Sequence, residues 1–191
     1  MKTTRSIPAL LIVASALLAQ SALAQADQKT VEHPNKPSFG ISGGHYRHDP
    51  GIAVEFTSRG IFQNHLSLRL RSSTQWLEDY KAIHDQWVSY HTFSAGLVYN
   101  GQLFDRTRFY AELGMIGIWP NSRFSESGFV EGLYQLNGIE INLLQKEDCT
   151  LSFFLGVGPS FIKAFAEKIE DRPRYGHGLH FVNGIRVYIG K

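Results

Sequence analysis

Six histidines are the first residues of this sequence that could bind a ligand, because imidazole nitrogens coordinate Zn²⁺ and Cu²⁺. All six fall toward the same end of their segments once strands are assigned: His45, His48, His84, His91, His177 and His180. Side chains alternate between the two faces of a strand, which puts His180 on the opposite face from His45, His91 and His177. We therefore predict no metal site and no cofactor. His45, His48, His84 and His177 are the weak metal candidates, and solvated or interfacial histidines are the interpretation we favour.

Arginine and glutamate side chains occupy alternate positions inside otherwise apolar segments. There are three of each sign: Glu55, Arg69, Arg71, Glu112, Glu140 and Arg186. Charges that are removed from water need partners of opposite sign. The sequence thus predicts an ion-pair network on one face of a sheet. An ion-selectivity ring is the functional alternative, but a narrow lumen favours the structural network.

These charged residues belong to eight segments in which hydrophobicity alternates, as in Leu66–Arg71, where every second residue is aliphatic. This period is typical of β-strands with one apolar and one polar face. Turn signals at Asp49–Gly51 and Asn100–Gly101 are expected to separate strands, and a phase change around Asn137 predicts a β-bulge. The predicted strands are Ser38–Tyr46, Ile52–Ser58, His65–Gln75, Trp87–Tyr99, Arg108–Trp119, Phe129–Leu144, Thr150–Ile162 and Gly178–Ile189.

The first residues have the composition of a secretory signal peptide. Lys2 and Arg5 precede an apolar run, and Ala22–Ala24 matches the small-x-small cleavage pattern. We expect a signal peptide over residues 1–24, a flexible lead-in over 25–37 and a barrel domain over 38–191. Without Lys2 and Arg5, 17 of the 19 basic residues remain against 17 acidic ones, a balance unlike a nucleic-acid-binding surface. Cys149 is the single cysteine, so no internal disulfide can form.

The polar face distinguishes a membrane barrel from a soluble one. It is rich in Gly and Ser and carries balanced Arg and Glu, while Lys is kept to segment ends. This composition favours the interior of a narrow barrel whose apolar face is outside. Connections also alternate in length, as do the periplasmic turns and external loops of outer-membrane barrels. We predict an all-β fold, a closed antiparallel up-and-down transmembrane β-barrel of about eight strands. A soluble periplasmic barrel that carries an apolar ligand is an alternative.

The end of the chain, Gly184-Ile185-Arg186-Val187-Tyr188-Ile189, resembles the C-terminal insertion signal of small eight-stranded outer-membrane proteins. This group includes OmpA transmembrane domains, OmpX-like proteins and opacity-type barrels. Gly184, Val187 and Ile189 carry the resemblance, whereas many members end on an aromatic residue instead of Gly190–Lys191. The resemblance implies a Gram-negative outer-membrane location, a monomer, the barrel-insertion machinery, outer-membrane lipid and lipopolysaccharide as partners, and loops for an extracellular contact.

Some barrels of this group modify lipid A, which makes catalytic motifs relevant. The deacylase type carries His-x-Ser-Asn, but His180-Phe181-Val182-Asn183 has a valine where the nucleophile belongs. A methyl group cannot replace that hydroxyl in acyl transfer. The palmitoyltransferase type needs external His, Asp and Ser residues, for which His84, Asp85 and Ser125 are weak candidates. We expect a structural or interaction barrel with a closed polar lumen. A lipid A-modifying hydrolase or acyltransferase remains the enzymatic alternative.

Overall fold

The computed structural model describes residues 36–46, 48–61, 65–77, 87–169, 172 and 174–190. The expected signal peptide, most of the lead-in, and the candidates His84 and Asp85 lie outside the described residues. Within the described ranges, no helix is long and apolar enough to cross a membrane.

Eight antiparallel strands close into one barrel, and each strand pairs with its neighbours in sequence while the last pairs with the first. This confirms the predicted fold class. The closed, meandering order leaves no strand edge unpaired, which is the route by which small barrels avoid an exposed ladder of backbone groups. The strands are β1 Ser38–Tyr46, β2 Asp49–Thr57, β3 Leu66–Trp76, β4 Ser89–Phe104, β5 Thr107–Trp119, β6 Val130–Gln145, β7 Cys149–Ile162 and β8 Gly178–Ile189.

The distribution of polarity is inverted with respect to a water-soluble barrel. Arg69 and Arg186 point into the lumen and are 1% and 0% exposed, whereas Ile41 and Leu113 point outward and are 70% and 66% exposed. The alternation along each strand produces this separation, because neighbouring residues project to opposite faces. The lumen is therefore polar and the outer surface is an apolar belt.

The turn predicted at Asp49–Gly51 is displaced in the structure. Tyr46 pairs directly with Asp49, so the connection is formed by residues 47–48 and Asp49 already belongs to β2. Pro50 pairs with His45 of β1, while the β2–β3 ladder begins only at Gly51. The missing N–H of Pro50 thus lies beyond the end of that second ladder, where a strand tolerates proline.

The turn predicted at Asn100–Gly101 is wrong, because β4 continues to Phe104 and the connection to β5 is residues 105–106. Asn100 pairs with Tyr110 and Gly101 with Phe109. A Cβ on Gly101 would lie 1.9 Å from the Phe109 ring, so this glycine serves close ring packing instead of a turn.

The bulge predicted around Asn137 is also wrong. Pairing of β6 with β7 advances equally on both strands from Tyr134 to Asn137, and the shift lies between Asn142 and Leu144. The apparent phase change has a different cause: Leu136 is apolar but faces the lumen, where it is fully buried. The alternation of apolar and polar residues is interrupted at Leu136, whereas the pairing register of the backbone continues without a shift.

Candidate functional site

Seven charged side chains from five strands meet in the lumen and form a continuous set of ion pairs, here called the lumen network. Its carboxylates alternate with guanidinium groups, so each carboxylate contacts two arginines. All seven side chains are at most 6% exposed. The members are Glu55, Arg69, Arg71, Arg108, Glu112, Glu140 and Arg186.

One end of the lumen network joins β3 to β5 and β2. Arg69 Nη1 lies 2.7 Å from Glu112 Oε2, and Arg71 Nη2 lies 3.4 Å from the same oxygen. Arg71 Nη2 also lies 3.2 Å from Glu55 Oε2. The Tyr134 hydroxyl donates a 2.5 Å hydrogen bond to Glu112 Oε1. Both oxygens of Glu112 are thereby used, as a buried carboxylate requires.

The other end joins β8 to β2 and β6. Arg186 donates to Glu55 and to Glu140, and Arg108 Nη2 lies 2.5 Å from Glu140 Oε1. The Arg186 guanidinium carbon sits 4.1 Å from the ring centroid of Phe154, within the range of a cation–π contact. These bonds tie strands far apart in sequence across the barrel interior.

Arg108 is the member that sequence reasoning missed. It lies at the second position of β5 and was treated as a strand end outside the charged set, yet it is 5% exposed. Parity could have identified it, because Arg108 is four residues from Glu112 and shares its face.

An apolar layer fills the lumen beside the network. Tyr110 and Phe154 pack with three aliphatic side chains, and all five are at most 2% exposed. Interiors of eight-stranded barrels are just wide enough to be filled by side chains. This layer, which we call the inner layer, consists of Val98, Tyr110, Leu136, Phe154 and Val182.

Loop residues fold over one end of the barrel and close it with a second apolar group, the mouth cluster. Upper lumen side chains such as Ile118 and Tyr134 contact loop side chains such as Ile169 and Tyr175. Residues 167–174 form a run of mixed charge in the sequence, yet Ile169 within it and Tyr175 just after it are buried. The full set is Tyr46, Leu77, Val88, Tyr90, Ile116, Ile118, Phe124, Tyr134, Ile162, Ala164, Ala166, Ile169 and Tyr175.

Hydrogen bonds between two loops hold the mouth cluster in place. The Ser125 hydroxyl lies 2.8 Å from both the Phe165 carbonyl and Glu167 Oε2, and the Glu126 N–H donates to Glu167 Oε2 at 3.1 Å. We call Ser125, Glu126 and Glu167 the loop latch. Desolvation raises the pKa of Glu167, but these donated hydrogen bonds outweigh it and leave the pKa below its ordinary value. The hydroxyl of Ser125, a catalytic candidate, is engaged in this latch.

His180 lies inside the barrel, where it is 2% exposed and stacks on Tyr46 with 3.8 Å between ring centroids. It lines a cavity of about 10 Å³ together with Ser42, Arg71 and Gln75. That volume matches a single water molecule. A lipid substrate at the outer surface would not reach this imidazole.

The other histidines in the described ranges do not share its position. His45 and His48 are exposed, and His177 Nδ1 accepts a 3.3 Å hydrogen bond from the Ile162 N–H. In the ranges that the structure covers, no three His, Cys, Asp or Glu side chains are grouped so that they could hold a metal ion.

The residues of the C-terminal segment occupy both faces of β8. Val187 and Ile189 project outward, and Ile189 is 52% exposed. Gly184 faces the lumen, where a Cβ would approach the Ile41 carbonyl to 2.3 Å.

Comparison with known proteins found similar barrels among solved structures. The N-terminal β-barrel domain of Pseudomonas aeruginosa OprF is 14% identical, covering 81% of this chain and 96% of that one, with a TM-score of 0.46. Neisserial surface protein A is 10% identical, covering 81% and 95%, with a TM-score of 0.47. The Yersinia pestis outer membrane protein Ail is 14% identical, covering 80% and 99%, with a TM-score of 0.43.

No protein-family profile matches the chain, and no curated protein matches it. With such low identities and TM-scores, the function has to be argued from the residues of the barrel itself.

Proposed function

We propose that this chain is a non-catalytic outer-membrane barrel with a closed polar lumen, whose outer surface and external loops make its specific contacts. The single observation that carries the proposal is the inverted polarity. Arginines and glutamates fill the interior, whereas large apolar side chains cover the exterior. Water would be a poor solvent for that exterior, because soluble monomers rarely expose such continuous apolar surface.

A bilayer is the solvent that fits both surfaces. Backbone groups in hydrocarbon must bond within the protein, and the closed barrel satisfies this condition strand by strand. The lumen network keeps its three carboxylates, Glu55, Glu112 and Glu140, paired and away from lipid. A periplasmic carrier of an apolar ligand fits less well, because charged and aromatic side chains occupy the interior where the ligand would bind.

The unequal ends of the barrel give an orientation. Residues 58–65, 105–106 and 146–148 connect strands at one end, and residues 47–48, 77–88, 120–129 and 163–177 connect them at the other, so the three longest connections share one end. Bacterial barrels have short periplasmic turns and longer external loops. Trp76 and Trp119 stand near the loop end of their strands, where aromatic residues mark the lipid–water interface. The mouth cluster then faces outside the cell.

In the proposed role, lipopolysaccharide and outer-membrane lipid surround the apolar belt, and the barrel-insertion machinery assembles it. The external loops would supply any extracellular contact. Catalysis is not part of the proposal, since Val182 stands at the nucleophile position and His180 is enclosed in the lumen.

Heat-dependent migration tests the proposal. The full chain is produced in a Gram-negative host, membranes are separated on a density gradient, and samples are run on a denaturing gel with and without boiling. We expect an outer-membrane band that migrates faster unboiled, because a paired barrel resists detergent until heated. Recovery in the soluble periplasmic fraction without detergent would contradict the proposal and favour the carrier.

A further inference from the structure

Three carboxamide side chains interrupt the apolar belt on one side of the barrel. Gln135 and Asn137 lie on β6 and Asn183 lies on β8, with β7 between them. We call these three residues the amide face.

Strand parity places all three on the outer surface. Tyr134, Leu136 and Val182 alternate with them along the strands and are buried in the lumen, at most 2% exposed. Gln135 pairs with Leu113, the outward residue near the middle of β5 that is 66% exposed. The amides therefore lie within the belt, away from its aromatic rims.

None of the three amides hydrogen-bonds to another group in the part of the chain that the structure describes. Other outward polar side chains differ: Thr74 and His91 lie near the loop end and bond each other at 3.1 Å, and Ser72 is a single small hydroxyl on β3, four strands away from β7. An amide in hydrocarbon without a partner is unfavourable by several kcal/mol, on the order of 4–8 kcal/mol for transfer to an alkane. Polar groups on a lipid-facing surface therefore point to a partner.

We propose that the amide face is the contact surface for a second copy of this chain in the membrane, in place of the monomer that the resemblance to small barrels implies. The inference rests on the proposed membrane function. Each carboxamide has both donors and an acceptor, so a two-fold axis brings an identical and complementary set opposite it. Lipid tails offer neither a hydrogen-bond donor nor an acceptor. Between the amides, β7 presents Leu155 opposite Asn183 and Val157 opposite Asn137, aliphatic side chains over which two barrels can pack.

Energy transfer in vesicles tests the contact. Cys149 is the single cysteine and is partly accessible at the start of β7, so donor and acceptor dyes can be attached there without mutation. The full chain is inserted into phosphatidylcholine vesicles over a range of protein-to-lipid ratios. We expect transfer that rises with protein density and falls when unlabelled chain is added.

The test variant is Gln135→Leu/Asn137→Leu/Asn183→Leu, and the matched control is Ser72→Leu, another outward polar position on β3, four strands away from β7. We expect the triple variant to need at least about a tenfold higher density for half-maximal transfer, which corresponds to 1.4 kcal/mol, and the control to match the wild type. Leucine suits a lipid-facing site, so the triple variant should keep its heat-dependent migration.

Insertion and association are read separately. A wild-type chain that inserts, as judged by heat-dependent migration, but shows no specific transfer overturns the dimer contact alone. Transfer that persists unchanged in the triple variant overturns it as well, because another face then makes the contact. A chain that does not insert overturns both the contact and the proposed function.

Discussion

At the scale of single residues, Arg186, like Arg71, contacts two buried carboxylates at once. Its guanidinium contacts Glu55 and Glu140 and is fully buried. Buried ion pairs are weak evidence for stability as such, but removing Arg186 leaves Glu55 and Glu140 with one arginine each, Arg71 and Arg108, and with buried oxygens that lose their donors. Removing Arg186 should therefore lower the free energy of unfolding by more than the intact ion pairs contribute to it.

We predict that Arg186→Met lowers the free energy of unfolding by about 3–5 kcal/mol, the usual effect of breaking a buried pair. Urea titration of the chain in vesicles, followed by tryptophan fluorescence, measures the change. Arg59→Met is the control, because Arg59 is exposed and its loss should stay within about 0.5 kcal/mol. Equal stability of the two variants would show that water reaches the lumen network.

The sequence predicted the faces of these residues but not their contacts. Alternation fixes the side of a strand, so it identified six charged residues that the structure places in the lumen. It could not show that Arg71 bridges two carboxylates, because that depends on register across three strands. Arg108 was missed for a related reason: strand ends are uncertain by a few residues, and it lies at one.

At the scale of elements, the strands follow from periodicity while the loops and turns do not. Period-2 alternation is imposed along the whole strand, so β1 and β8 agree with their predicted bounds. A glycine does not by itself indicate a turn. Gly101 follows Asn100 as in a turn signal, but it lies within β4 and makes room for the Phe109 ring. The mouth cluster could not be predicted from the sequence either, because a single apolar residue such as Ile169 in a charged loop has no periodic pattern that indicates burial.

The loop latch gives a prediction for two elements, the β5–β6 and β7–β8 loops. The pKa of Glu167 is lowered by its hydrogen bonds, so its stabilising effect is present above the ordinary carboxyl pKa and is lost as pH falls through the depressed value. We expect hydrogen-exchange protection of the Glu126 amide, corrected for the intrinsic rate, to fall over that acidic range. Exchange measured on the inserted chain tests this.

Two comparisons make the latch experiment specific. In Glu167→Gln the Glu126 amide should be less protected at neutral pH and its protection should no longer depend on acidic pH. The Leu77 amide, which bonds the Val88 carbonyl at 2.9 Å, is the internal control and should keep its protection. Parallel loss at both amides would mean that the whole barrel end melts and that the latch is not the titrating element.

At the scale of the whole molecule, three groups of side chains fill the barrel: the mouth cluster at the loop end, and the lumen network with the inner layer packed beside it. Ion conduction needs a continuous aqueous path, whereas an eight-stranded lumen is filled by its own side chains. We predict no single-channel steps from the wild-type chain in planar bilayers. Because the lumen network and the inner layer do not depend on the loops, replacing residues 163–177 with a short Asn-Gly turn should leave the barrel closed although it removes four members of the mouth cluster, Ala164, Ala166, Ile169 and Tyr175.

The loop-shortened variant separates the contributions of the layers. Retained heat-dependent migration shows that it is folded, and a flat current trace then shows that the side chains of residues 163–177 are not needed for closure. Current steps that occur in the shortened variant but not in the wild type would instead make the mouth cluster the seal. Steps in the wild type would contradict the closed lumen itself, since the paired Arg and Glu side chains would then line a hydrated path with fixed charges able to select ions.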